Sequence, residues 1–143
     1  MKVHQILQTK GSDVATVLAT ASIEDAVGQL GGRRIGALIV VDETDKLVGI
    51  LSERDVVKAM AQKGMDLSGS HVRDLMTSEV QTCKPSDDVN AVMARMTAGR
   101  FRHVPVLENG KLAGVISIGD AVKARMEELE HEREALEHYI VSG

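Results

Sequence analysis

Apolar residues recur along the chain in two rhythms. Ile23, Ala26, Val27 and Leu30 are spaced three and four apart, and so are Val89, Val92, Met93 and Met96. That period puts each set on one face of a helix. Between and after them lie short continuous apolar runs: Ala37–Val41 and Val104–Leu107, then Leu47–Leu51 and Leu112–Ile116. Runs of this length bounded by Asp, Asn and Gly predict strands, and those joined through Asp42–Asp45 and Glu108–Gly110 predict hairpins. Strands so uniformly apolar should be covered on both faces. Two shorter segments, Val14–Val17 and Val80–Cys83, predict a strand ahead of each first helix. Thr20 and Ser86 are candidate N-caps for those helices. A second helix is predicted to start at Ser52 and again at Ser117, and Gly64–Ser70 has loop composition.

These elements are one set repeated. Lys46–Ala59 lies over Lys111–Ala124 at an offset of 65, with eight identical residues. Upstream the offset becomes 66, with one residue lost in the turn, and Val3–Leu7 resembles Val72–Met76. Each copy reads strand, helix, strand, strand, helix. The copies are placed at 1–66 and 67–126, with a helical extension at 127–143. A copy of roughly 65 residues buries little apolar surface alone, so the two are expected to fold together. In the last helix Val122, Met126, Leu129, Leu136 and Ile140 follow three- and four-residue steps, interrupted by Arg133. This stripe fits a solvated helix with ordinary packing or a helix that pairs with a second subunit; its length past the repeat favours the second.

Composition narrows the function. Aromatic residues make up 1% of the 143 residues, so base-stacking platforms for single-stranded nucleic acid are absent. A net charge of -4 gives no broad basic field, which argues against nucleic acid and anionic lipid as partners. One cysteine, Cys83, excludes an internal disulfide and a thiolate zinc cluster. Cys83 aligns with Val17 and reads as a small core residue. No apolar run spans a bilayer and the N-terminal residues lead into no signal-peptide block, so a cytoplasmic protein is expected. His131, Glu134 and His138 share a helix face, but two histidines two turns apart need ligands from another chain, and no metal site is expected. No phosphate-binding Gly-x-x-x-x-Gly-Lys loop and no nucleophile–base set supports an enzyme.

The candidate chemistry is Gly-aliphatic-x-Ser-x-x-Asp, present as Gly49–Asp55 and Gly114–Asp120. Ser-x-x-Asp at a helix start is a capping box, and that alone explains a single copy. Its recurrence at matched positions after a glycine opens a second reading. The glycine lets a ligand approach the backbone. The helix end directs amides and a positive dipole at phosphate. A carboxylate accepts from vicinal ribose hydroxyls, as in other nucleotide sites. Both readings stand at this point.

With these stretches, together with Ile35–Asp42 and Arg100–Val106, the chain resembles a tandem pair of CBS domains, a Bateman module, of the small stand-alone bacterial type. The resemblance implies an α/β fold with two β-α-β-β-α repeats packed with pseudo-two-fold symmetry, plus the long C-terminal helix. It implies adenosine-containing ligands, of the types AMP, ADP, ATP, NAD(H) and S-adenosylmethionine, in clefts between the copies, with AMP, ATP or NAD(H) expected here, sensed through a conformational change in a homodimer, with any effector a separate molecule. By position, Asp55 and Asp120 match the family's ribose-binding aspartate, and Ser52 and Ser117 its hydroxyl partner. Thr16 and Thr82 match the strand threonine near sugar and base. Arg54 and the Gly119 backbone match groups near phosphate, as do Arg102 and His103. Gly36 and Ala37 stand where the first copy lacks that basic pair, so the two clefts are unequal. Each residue also has a plain explanation: strand propensity for the threonines, a surface charge for Arg54, a structural histidine for His103. The remaining alternative is an interaction protein whose acidic last helix recruits a partner.

Overall fold

The apolar runs form strands, and the three-and-four-spaced segments form helices. A computed structural model describes residues 1–142, in the order α1 (Val3–Lys10), β1 (Thr16–Leu18), α2 (Ile23–Arg33), β2 (Ala37–Val41), β3 (Leu47–Ser52), α3 (Glu53–Lys63), α4 (Val72–Leu75), α5 (Val89–Gly99), β4 (His103–Glu108), β5 (Lys111–Ser117) and α6 (Ile118–Ser142). Two compact units result: Asp13–Gln81, and Met1–Ser12 together with the chain from Thr82 onward.

In the unit Asp13–Gln81 the sheet order is β1-β2-β3, with β1 parallel to β2 and β2 antiparallel to β3. Leu38 and Val40 from β2 and Leu51 from β3 pack with Ile23, Ala26 and Leu30 of α2 and with Val56 and Ala59 of α3. Every residue of β2 from Leu38 to Val41 is buried, as a strand covered on both faces must be. Val27, placed on the apolar face by its spacing, is instead exposed. The other unit repeats the plan: Val104, Val106 and Ile116 of β4 and β5 meet Val92 and Met96 of α5 and Ala121 and Ala124 of α6. Both hairpins carry a bulge beside the motif glycine, between Val40 and Val41 and between Val106 and Leu107. Their turns differ as the offset change requires. Asp42 organises the longer one by accepting from the Thr44 and Lys46 amides at 2.8 and 3.0 Å. The shorter one bends through Asn109 and Gly110, both at positive φ.

Two expectations are corrected. The strand expected at Val80–Cys83 reduces to one bridge, Cys83 to Val106. Its counterpart β1 is held partly by the Ile39 amide, which donates to the Ala15 carbonyl at 3.0 Å. Pro105 occupies the position of Ile39 and has no N–H, so that rung cannot form. The first helices are capped by Ser22 and Asp88, not Thr20 and Ser86; their side chains accept from the Asp25 and Ala91 amides. The caps are the residues directly ahead of the first helical residue, because only there does the side chain reach the third amide. Each compact unit draws on both of the copies placed at 1–66 and 67–126. The segment leading into α1 bonds to the start of α5, through Val3 amide to Asp87 carbonyl at 3.0 Å and Val89 amide to Met1 carbonyl at 2.9 Å. That leading into α4 bonds to the start of α2 in the same way, through Ile23 amide to Ser70 carbonyl and Val72 amide to Ala21 carbonyl. Each leading helix thus completes the other copy's core. The helical extension placed at 127–143 continues α6, which runs unbroken from Ile118 to Ser142.

Candidate functional site

Each Gly-aliphatic-x-Ser-x-x-Asp segment is the end of a strand turning into a helix: β3 into α3, and β5 into α6. A helix start leaves several amides without intrahelical partners. Here most are satisfied locally. At α3 the Ser52 amide donates to Asp55 Oδ2 at 2.9 Å, and the Asp55 amide donates to Ser52 Oγ at 3.2 Å. The Glu53 amide donates to the Gly36 carbonyl at 3.0 Å. At α6 the Ser117 amide donates to Asp120 Oδ2 at 2.9 Å, the Asp120 amide to Ser117 Oγ at 3.1 Å, and the Ile118 amide to the Arg102 carbonyl at 2.8 Å. Gly119, in the first turn of α6, is exposed. The reciprocal cap is therefore real at both places, and the phosphate-directed donors inferred from the sequence are fewer than a bare helix end would offer.

The motif glycines serve the protein's own packing. A Cβ on Gly49 would stand 2.6 Å from Met76 Sδ and 3.0 Å from the Thr77 carbonyl oxygen. A Cβ on Gly114 would stand 2.7 Å from Leu7 Cδ2. Met76 follows α4 and Leu7 lies in α1, so both glycines admit the exchanged leading segments. This packing accounts for both glycines without a ligand.

Those segments also bring a group onto each aspartate that sequence reasoning missed. Thr77 Oγ1 donates to Asp55 Oδ1 at 3.2 Å. Lys10 Nζ donates to Asp120 Oδ2 at 2.6 Å and to the Val115 carbonyl at 3.0 Å. The available signal was the likeness of Val3–Leu7 to Val72–Met76, because both partners follow shortly after it. Partial burial raises the Asp120 pKa, but the Lys10 ammonium and the Ser117 amide and hydroxyl outweigh it and hold the carboxyl below its ordinary value. The pairing therefore stabilises the fold above the ordinary carboxylate pKa and is lost as pH falls through the lowered one. Lys10→Met is expected to move the Asp120 titration upward and to lower stability at pH 7 by about 1 kcal/mol. The difference from the parent should vanish in acid; carboxyl NMR titration and urea denaturation at pH 7 and pH 2 measure both.

The other candidate residues are distributed as follows. His103 lies directly across from Ser117 in the β4–β5 ladder, where Ala37 lies across from Ser52 in the other unit. Arg102 and Arg54 are exposed, and Gly36 is half-buried. Arg102, His103, Ser117, Gly119 and Asp120 thus gather at the α6 entrance, joined by Lys10. Gly36, Ser52, Arg54 and Asp55 gather at the α3 entrance, joined by Thr77. Thr16 is exposed in β1 and pairs with Ile39; the Thr82 carbonyl accepts from Arg95 at 2.9 Å. Among the described residues, neither threonine hydrogen-bonds to a Ser-x-x-Asp residue. Burial pushes the Cys83 thiol up to about 11, in keeping with its place in the core. No group of three metal-ligating side chains occurs, and no helix is long and apolar enough to cross a membrane, among the described residues.

The family model of the CBS domain matches residues 4–62 and 72–127. The chain is 33% identical over 149 residues to the mitochondrial CBS domain-containing protein CBSX3 of Arabidopsis thaliana, covering 99% of this chain and 72% of that one. Among solved structures, the CBS-domain containing protein ATU1752 from Agrobacterium tumefaciens is 47% identical with a TM-score of 0.84, over 87% of this chain and 99% of that one. The CBS domain pair of protein MJ0100, solved with 5′-methylthioadenosine and S-adenosyl-L-methionine, is 27% identical with a TM-score of 0.79, over 90% and 98% of the two chains. CBSX2, solved with AMP, is 25% identical with a TM-score of 0.72, over 80% and 90%. The duplicated strand-to-helix motif, the fold of each unit and these matches give one answer: the chain belongs to the CBS-domain family, as two tandem repeats followed by a long C-terminal helix.

Proposed function

We propose that this protein is a regulatory sensor of an adenosine-containing ligand (AMP, ATP or NAD(H)) and performs no chemistry of its own. The observation that carries this reading is the pair of partly exposed carboxylates, Asp55 and Asp120, each held in one rotamer by its own helix start. A carboxylate fixed in this way accepts from two vicinal hydroxyls without losing further freedom on binding. The Ser52 and Ser117 hydroxyls adjoin it, and Thr16 and Thr82 contact sugar and base. At the α6 entrance Arg102, His103 and the Gly119 amide address phosphate, with Lys10 adding charge. At the α3 entrance only Arg54 does so, beside uncharged Gly36 and Ala37. Phosphorylated ligands therefore favour the α6 entrance. Relatives solved with AMP and with S-adenosyl-L-methionine support the ligand class.

The ligand acts by shifting a conformational equilibrium of a homodimer, and only by its differential affinity for the two arrangements. The signal passes to a separate effector in the cytoplasm. A second reading has its own support: the reciprocal caps account for Ser52, Asp55, Ser117 and Asp120 without a ligand, and α6 exposes apolar side chains to a partner. One experiment separates the two. The protein is purified gently, its small molecules are identified by mass spectrometry, and AMP, ATP, NAD+, NADH and S-adenosyl-L-methionine are titrated calorimetrically. Micromolar binding of at least one supports the sensor; no binding tighter than millimolar leaves the interaction protein.

A further inference from the structure

From Leu129 to Ser142 every described residue of α6 is exposed. The inward face of this helix ends with Ala121 and Ala124. A helical half solvated on every side is marginal in water unless something packs on it. Tyr139 and Val141 apart, its large apolar positions form one series. Val122, Met126, Leu129, Leu136 and Ile140 keep alternating four- and three-residue steps, with Arg133 at the one position of the series that is not apolar. All five are exposed, Leu136 at 59% and Ile140 at 67%. So narrow a seam fits a single partner helix rather than a broad groove.

We infer that α6 pairs antiparallel with α6 of a second copy of this chain, centred near residue 131. Charge chooses both the partner and the direction. Along α6 the bases Lys123 and Arg125 come first, and Glu127, Glu128, Glu130, Glu132, Glu134 and Glu137 follow. A helix that is basic at one end and acidic at the other complements itself only when reversed. In that arrangement Val122 meets Ile140 of the second copy, Met126 meets Leu136, and Lys123 flanks Glu137. Arg133 lays its stem against Leu129 of the second copy while its guanidinium stays among glutamates. It already holds Glu130 at 2.8 Å and Glu137 at 3.7 Å in its own helix. A parallel pair would instead set Arg133 against Arg133 at the centre of the seam and stack the acidic ends on each other. The reversed pair also opposes the two helix dipoles.

This specifies the dimer of the sensor reading, and its test keeps the two apart. The variants Val122→Cys and Ile140→Cys are oxidised separately and mixed; the native Cys83 is buried and does not compete. A disulfide-linked dimer should form in the mixture and not with either variant alone. Linkage of Val122→Cys to itself, or no linkage in the mixture, overturns the inference. Leu136→Asp, at a position exposed in the protomer, should fold normally and shift the mass in light scattering from dimer to monomer; a persistent dimer overturns it equally. AMP titration of Leu136→Asp reports separately on ligand binding, so loss of the dimer with retained affinity leaves the sensor reading standing.

Discussion

Asp120→Asn is expected to weaken binding of AMP at the α6 entrance by about 100-fold, and Asp55→Asn plus Asp120→Asn together to abolish adenosine-ligand binding. A ribose presents two hydroxyl donors, and each charge-assisted bond to a carboxylate contributes about 1.5–3 kcal/mol. Asparagine offers one acceptor and turns two N–H donors toward groups that also donate, so about 2.7 kcal/mol is lost, which is the stated factor. The substitution isolates this loss from folding. The asparagine oxygen still accepts the Ser117 amide that now donates to Asp120 Oδ2. What does change is the Lys10 pair, a loss of about 1 kcal/mol that denaturation reads independently. Calorimetry with AMP, paired with circular dichroism, makes the measurement. A double variant that binds within threefold of the parent would reduce both motifs to helix caps.

Gly49→Val is expected to destabilise the protein by about 3 kcal/mol, and Gly114→Val by clearly less. The contrast follows from what each new side chain meets. At Gly114 it meets the end of Leu7, a flexible side chain that can turn away. At Gly49 it meets Met76 and, at 3.0 Å, the Thr77 carbonyl oxygen. That backbone is fixed, because Thr77 and Ile50 exchange both amide hydrogen bonds at 2.9 Å. Relief requires moving the strand-like segment after α4, which also withdraws the Thr77 hydroxyl from Asp55. Urea denaturation of the two variants gives the comparison. Equal and small losses would mean that the exchanged segments do not need the glycines.

The repeat was legible in the sequence because it is written in local pattern: apolar spacing, the turn residues and the doubled motif. The helix entrances followed, since Ser52 and Ser117 sit where a capping box must sit. Most of what failed depends on partners far along the chain. Pro105 lies inside a run that reads as an ordinary strand; its missing amide matters only once Ile39 is seen donating to Ala15 across the equivalent pair. Thr20 and Ser86 have cap chemistry, but Ser22 and Asp88 stand next to the first helical residue, and spacing fixes such boundaries only to within a turn. The likeness of Val3–Leu7 to Val72–Met76 marks α1 and α4 as equivalents but does not say which copy each joins. Lys10 and Thr77 were missed for the same reason: they reach Asp120 and Asp55 only through that exchange. The motif itself was ambiguous because capping and ribose binding use the same serine and aspartate.

The central claim is that these two aspartates seat a sugar. Crystals grown with excess AMP or NADH test it most directly. The account predicts a nucleotide whose 2′- and 3′-hydroxyls donate to Asp55 or Asp120, with its phosphate beside Arg102 or Arg54. Density showing no nucleotide at either helix, with both carboxylates holding only their own amides, Thr77 and Lys10, would contradict it.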